Sequence, residues 1–136
     1  MKYKLLPHTS EVGLEAAGRD LPELFRNAAG GLLHLWKLPL GAGGKDKQAV
    51  TVEGTDAGDL LVLWLNELAF IVQTRRLRPC AISIDRASET RLEATLVVKA
   101  APAGRDLAVE IKSATRTGSL VQKTKGGWTA KVILDV

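Results

Sequence analysis

The stretch "DAGDLLVLWLNELAFIVQTRR", residues 56–76, constrains the fold more than any other. Leu60, Leu61, Trp64, Leu65, Leu68, Ile71 and Val72 leave little of a helix's circumference polar, so a helix here must be covered on nearly every side. Asp56 or Asp59 is its expected N-cap, and Asp59, Asn66 and Gln73 form one narrow stripe expected to face water. The run Leu60 to Val72 is interrupted by Asn66 and Glu67 and is too short and polar to span a bilayer. Such a helix belongs in the core of a domain, and 136 residues suffice to build one around it.

The cover comes from strands. From Pro79 onward the apolar period switches from helical to two. "CAISIDRA" buries Cys80, Ile82 and Ile84; "RLEATLVVKA" sets Leu92, Ala94, Leu96 and Val98 on one side. "DLAVEIKSAT" alternates Leu107, Val109 and Ile111 with Glu110 and Lys112 and reads as a further strand. "SLVQKTKGGWTAKVILDV" reads as a hairpin through Gly126-Gly127, its last strand pointing Trp128, Ala130, Val132, Leu134 and Val136 one way. At the start, strands are expected over Tyr3–Pro7 and Glu11–Gly18, and another over "KQAVTVEG". A second helix begins after Asp20, with Glu23 completing a capping box and Leu21, Leu24, Phe25, Ala28, Leu32 and Leu35 on one face. Gly30 and Gly31 are unfavourable there, and the close approach of another backbone would explain them. The expected fold is one α+β domain over residues 1–136, two-layered, with a mostly antiparallel sheet of six or more strands and two helices on one face.

Other features are bounded more simply. The formal net charge of +4 permits a nucleic-acid partner without requiring one. Arg75, Arg76 and Arg78 form the only tight basic cluster and read as a solvated helix tail. Gly44-Lys45 fails the phosphate-loop pattern, because Pro39 stands where a glycine is needed and Asp46 where a hydroxyl is needed. The lone Cys80 cannot form a disulfide within the chain and reads as a packing thiol; Trp36, Trp64 and Trp128 read as core. No apolar run at the N-terminus resembles a signal peptide, so a cytoplasmic protein is expected.

The polar cluster at the head of the second strand is unusual: His8, Thr9, Ser10 and Glu11 stand together in "PHTSEVGL". A histidine there either hydrogen-bonds the turn or acts as a ligand or acid–base group. No nucleophile or oxyanion motif accompanies it, which argues against a hydrolase. Lys112 alternates with Ile111, on the side expected to hold Asp135; it suits a phosphate, or equally a local pairing with Glu110.

Taken in order, "HTSEVGLEAAG", "LFRNAAGGLLHLW", "DLLVLWLNELAF", "EIKSAT" and the terminal "WTAKVILDV" resemble the archease family over nearly the whole chain. The resemblance implies a small α+β protein that is not itself an enzyme but a cofactor of an RtcB-type RNA ligase. It implies promotion of ligase guanylylation and multiple turnover in tRNA splicing and RNA repair, with GTP and RNA engaged only through the ligase. It implies a small metal site for calcium or magnesium at Glu11, Asp135 and Val136, with Lys112 and His8 as partner or phosphate contacts. An all-oxygen, anionic donor set suits those hard cations and not zinc. The family's usual aspartate is replaced by Glu11, Pro7 stands where another aspartate is usual, and Arg116 and Thr117 stand in place of Tyr and His. The alternative function is a chaperone-like modulator of RNA-modifying enzymes that binds proteins without metal.

Overall fold

A computed structural model describes residues 2–7 and 10–136. Strands β1 (Tyr3–Pro7) and β2 (Glu11–Gly18) are followed by α1 (Leu21–Leu35), β3 (Asp46–Glu53) and α2 (Ala57–Ala69). A π-helical turn (Phe70–Thr74) extends α2; then come β4 (Leu77–Ala87), β5 (Arg91–Ala100), β6 (Ser113–Thr124) and β7 (Gly127–Asp135). The α+β class, two helices and antiparallel pairing follow the sequence reading. The strands, however, divide into two sheets, β1-β2-β7-β6 and β3-β5-β4.

The helices join the sheets. Helix α1 packs on β1, β2 and β7 of the first sheet and on β4 of the second. Helix α2 packs on β6 and β7 of the first and on β3 and β5 of the second. Between them lies one continuous core containing Phe25, Trp36, Trp64, Leu65 and Leu96, all essentially without exposed surface. The indole of Trp64 donates to the Phe25 carbonyl at 3.0 Å, so its one polar atom is satisfied within the core. The continuous helix Ala57–Thr74 is long and apolar enough, by length and composition alone, to cross a membrane, and it is longer than the apolar run read from sequence. More than half of it is buried inside this domain, where two sheets and α1 cover it.

Helix entry is governed by paired caps. Asp20 accepts from the Glu23 amide at 2.9 Å while Glu23 reaches back to the Arg19 amide at 3.1 Å. Asp56 caps α2 through the Asp59 amide at 2.8 Å, and Asp59 reaches back to the Thr55 amide at 2.9 Å. Both aspartates therefore act, where one was expected.

Several expectations are corrected. Residues 106–112 form no strand, although Ile111 is buried and Leu107 and Val109 are half-buried. The alternation is real, but the backbone bonds go elsewhere: the Ala108 amide donates to the Trp36 carbonyl and Ile111 is bonded by the Gln73 side chain. The β6–β7 turn falls at Lys125-Gly126, with Thr124 paired to Gly127. Gly127 is needed because its φ of 152° and the nearby Gly18 carbonyl exclude a side chain. In α1 it is the Leu14 side chain, not a backbone, that occupies the space beside Gly31, while Gly30 faces looser surroundings near Tyr3. Arg78 is buried, not solvated: it binds both Asp106 oxygens at 2.5 and 2.6 Å and donates to the Val72 carbonyl at the helix end. Trp128, Cys80 and Ile84 are only half-buried, and bulges flank Cys80 and Asp85 in β4.

Candidate functional site

The sequence reading required the last strand to lie beside the start of the second. It does: β2 and β7 pair antiparallel with Glu11 opposite Asp135 and Val12 opposite Leu134. Val12 and Leu134 are buried on the core face, so Glu11 and Asp135 project from the outer face as direct neighbours. On the far side of Asp135, β6 places Ser113, whose hydroxyl lies 3.5 Å from Asp135 Oδ2. The row Glu11–Asp135–Ser113 thus crosses three strands. The Val136 amide donates to the Ser10 carbonyl at 3.1 Å, extending the ladder and fixing Val136 next to Ser10.

Two carboxylates placed directly across a strand pair repel each other. None of the ion pairs among the described residues involves either one. Hard oxygens from Glu11 and Asp135 suit a divalent cation such as calcium. Among the described residues no three His, Cys, Asp or Glu side chains gather into a metal-binding group, so two side chains alone do not complete a site. His8 and Thr9 lie outside the described residues.

Lys112 stands immediately before β6, and its amide donates to the Asp135 carbonyl at 2.8 Å. How it is held there was not anticipated. The Asp59, Asn66 and Gln73 stripe is half-buried, and its polar atoms bond to protein. Gln73 accepts from the Ile111 amide at 2.7 Å and donates to the Ile111 carbonyl at 2.8 Å. Asn66 accepts from the Ala114 amide at 2.7 Å and donates to the Ala114 carbonyl at 3.1 Å. Asp59 binds Arg116 at 2.5 Å. Spaced seven residues apart on one helix face, the three grip residues 111–116 at three points. Lys112 and Ser113 sit between two doubly bonded anchors, so the exposed lysine leaves the surface from a fixed backbone. The Thr55 amide, and after it Arg116, hold the Asp59 carboxyl below the ordinary carboxylate range. A structural hydrogen-bonding role for Asn66 is what a polar residue interrupting an apolar helix suggests, and the structure bears it out; Ser113 and the Gln73 anchor are not evident from the residues alone, for which the heptad spacing of Asp59, Asn66 and Gln73 is the available signal.

A family model described as the Archease protein family matches residues 3–136. The chain belongs to the archease family. It is 28% identical over 137 residues to protein archease of Archaeoglobus fulgidus, covering 100% of both chains. It is 27% identical over 140 residues to protein archease of Methanosarcina mazei, covering 99% of this chain and 96% of that one. Among solved structures, Methanobacterium thermoautotrophicum protein 1598 shares 25% identity with a TM-score of 0.75, covering 98% of each chain. The crystal structure of an archease described as a possible chaperone, from Thermotoga maritima, matches with a TM-score of 0.67 at 18% identity. It covers 98% of this chain and 96% of that one, a likeness of fold. These archease structures agree with the α+β architecture found here.

Proposed function

We propose that this archease-family chain is a protein cofactor of an RtcB-type RNA ligase, promoting ligase guanylylation and multiple turnover in tRNA splicing and RNA repair. The observation that supports it is the row Glu11–Asp135–Ser113, with Lys112 anchored to the Asp135 carbonyl. Glu11 and Asp135 would hold a calcium or magnesium ion, with Val136 supplying the third donor that the family resemblance implies. That ion would offset phosphate charge in the ligase's nucleotide pocket. Lys112 gives the same surface a cation suited to a phosphate oxygen. GTP belongs to the ligase, and RNA is met there through it.

The test is single-turnover guanylylation of the ligase with the native chain and with Asp135→Ala. Stimulation by the native chain and its loss in the variant is the expected result; equal stimulation by both would refute the mechanism. Calcium titration of Glu11→Gln should show weakened binding alongside reduced stimulation.

The second reading, a chaperone-like modulator that binds proteins without metal, draws on the description of the Thermotoga maritima archease as a possible chaperone. It predicts stimulation unaffected by a chelator, which separates the two readings in one assay.

A further inference from the structure

The end of the first sheet opposite Glu11 and Asp135 has the reverse chemistry. There β2 ends at Gly18 paired with Trp128, and the β6–β7 turn packs on the chain entering α1: the Gly18 carbonyl and Arg19 Cα lie against Gly127. This junction borders a groove of ≈ 790 Å³, lined among others by Lys2, Arg19, Arg26 and the half-buried indole of Trp128. Lys123, opposite Trp128 across the hairpin, holds its Nζ 5.8 Å from the indole centroid, and Lys125 occupies the turn itself. Two carboxylates share this end, and both are engaged: Asp20 caps α1 and Glu23 is bonded to Arg19. Arg26 is tied to the Ile82 carbonyl, so it forms wall as well as charge. Lys2, Lys123 and Lys125 enter none of the ion pairs found among the described residues.

We propose that this groove binds single-stranded nucleic acid, with cations along its rim taking the phosphates: Lys123 leaves the face of the Trp128 indole for a phosphate, and a base stacks in its place. An aromatic face beside a row of cations is the combination such strands need. An acidic peptide would use the charges but not the indole. The site lies at the opposite end of the sheet from the carboxylates and does not rest on the ligase reading.

The sequence provides its own reporter. Trp36 and Trp64 have no exposed surface, so quenching of tryptophan emission on binding reports Trp128. Short oligouridylate and oligothymidylate are titrated into the full chain at several salt concentrations. Fluorescently labelled strands give anisotropy in parallel, and either sugar supports the site. With Lys2, Lys123 and Lys125 engaged and Arg19 held by Glu23, log affinity falls with log salt at a slope of about −2.1, roughly 18-fold between 50 and 200 mM. In the Lys123→Ala/Lys125→Ala double variant the slope drops to about −0.7, roughly 3-fold over the same range. Both substitutions are on exposed side chains, so the variant tests binding and not folding. Three results each overturn the proposal: no anisotropy change at 50 mM salt, an unchanged slope in the double variant, or displacement of the strand by polyglutamate of equal charge as effectively as by unlabelled oligonucleotide.

Discussion

Gln73→Leu should be the most informative single substitution away from the outer face. The Gln73 amide serves three groups: the Trp36 indole nitrogen donates to its Oε1 at 2.9 Å, the Ile111 amide donates to the same oxygen at 2.7 Å, and its own Nε2 donates to the Ile111 carbonyl at 2.8 Å. Trp36 is wholly buried and Ile111 is 3% exposed, so water does not readily replace these bonds. Each orphaned polar group costs about 1–3 kcal/mol; Gln73 is itself half-buried, so at about 1.5 kcal/mol each the three give roughly 4.5 kcal/mol. Leucine recovers about 1 kcal/mol by packing, leaving a net loss of about 3–4 kcal/mol. A domain of 136 residues has an unfolding entropy of about 0.3 kcal/mol/K at its midpoint, so Tm should fall by roughly 10 °C. Thermal unfolding followed by near-ultraviolet circular dichroism measures this directly. The double-mutant cycle with Trp36→Phe sharpens it: with the indole N–H already removed, Gln73→Leu should cost about 1 kcal/mol less. A Tm loss under about 3 °C, or strict additivity in the cycle, would refute the view that Gln73 holds residues 108–112 to the core.

Other perturbations test different parts of the structure. Gly30→Ala should stabilise by about 0.5–1 kcal/mol in urea unfolding, since the added methyl meets only atoms 3.8 Å away or farther. Gly31→Ala, one residue on, should destabilise by about 1–2 kcal/mol, because the buried Leu14 side chain fills that space and the overpacking exceeds the propensity gain. Hydrogen bonds from Arg78 hold the Asp106 carboxyl below its ordinary range. The stability this adds is therefore complete above about pH 4 and is lost as pH falls through the lowered folded value. Asp106→Asn should cost about 3 kcal/mol at pH 7, where it strands the buried Arg78, and should flatten the decline in stability below about pH 4. Asn66→Ala, which frees the Ala114 amide and carbonyl, should raise amide hydrogen exchange at residues 112–115 while leaving β5 unchanged.

The contrast between what periodicity revealed and what it did not has a physical basis. Alternation in "RLEATLVVKA" identified β5 because both its flanks meet strands, β3 and β4, so burial and backbone bonding follow the same period. Alternation in "DLAVEIKS" is as regular, yet its backbone bonds run to Gln73 and to the Trp36 carbonyl. A pattern of side-chain burial says which face is dry; it does not say what the amides bond to. The same limit explains Arg78, which looks like one of three solvated arginines until Asp106, far along the chain, is placed beside it. At the candidate site, the two carboxylates are legible as residues, but that they are neighbours is not, because Glu11 and Asp135 meet only through the β2–β7 register.

A polar residue in an otherwise apolar helix therefore carries more information than its own exposure. Asp59, Asn66 and Gln73 are tolerated on a half-buried helix face because each is the partner of a specific backbone or side chain on residues 111–116. Replacing them with water-facing roles leaves Ile111 and Ala114 with unbonded amides beside a buried helix, which the cost of such groups forbids. The stripe is thus the complement of an irregular segment: where a strand would have bonded to its neighbour, this chain uses helix side chains. That substitution frees Lys112 from a strand's pleat and fixes it next to the Asp135 carbonyl.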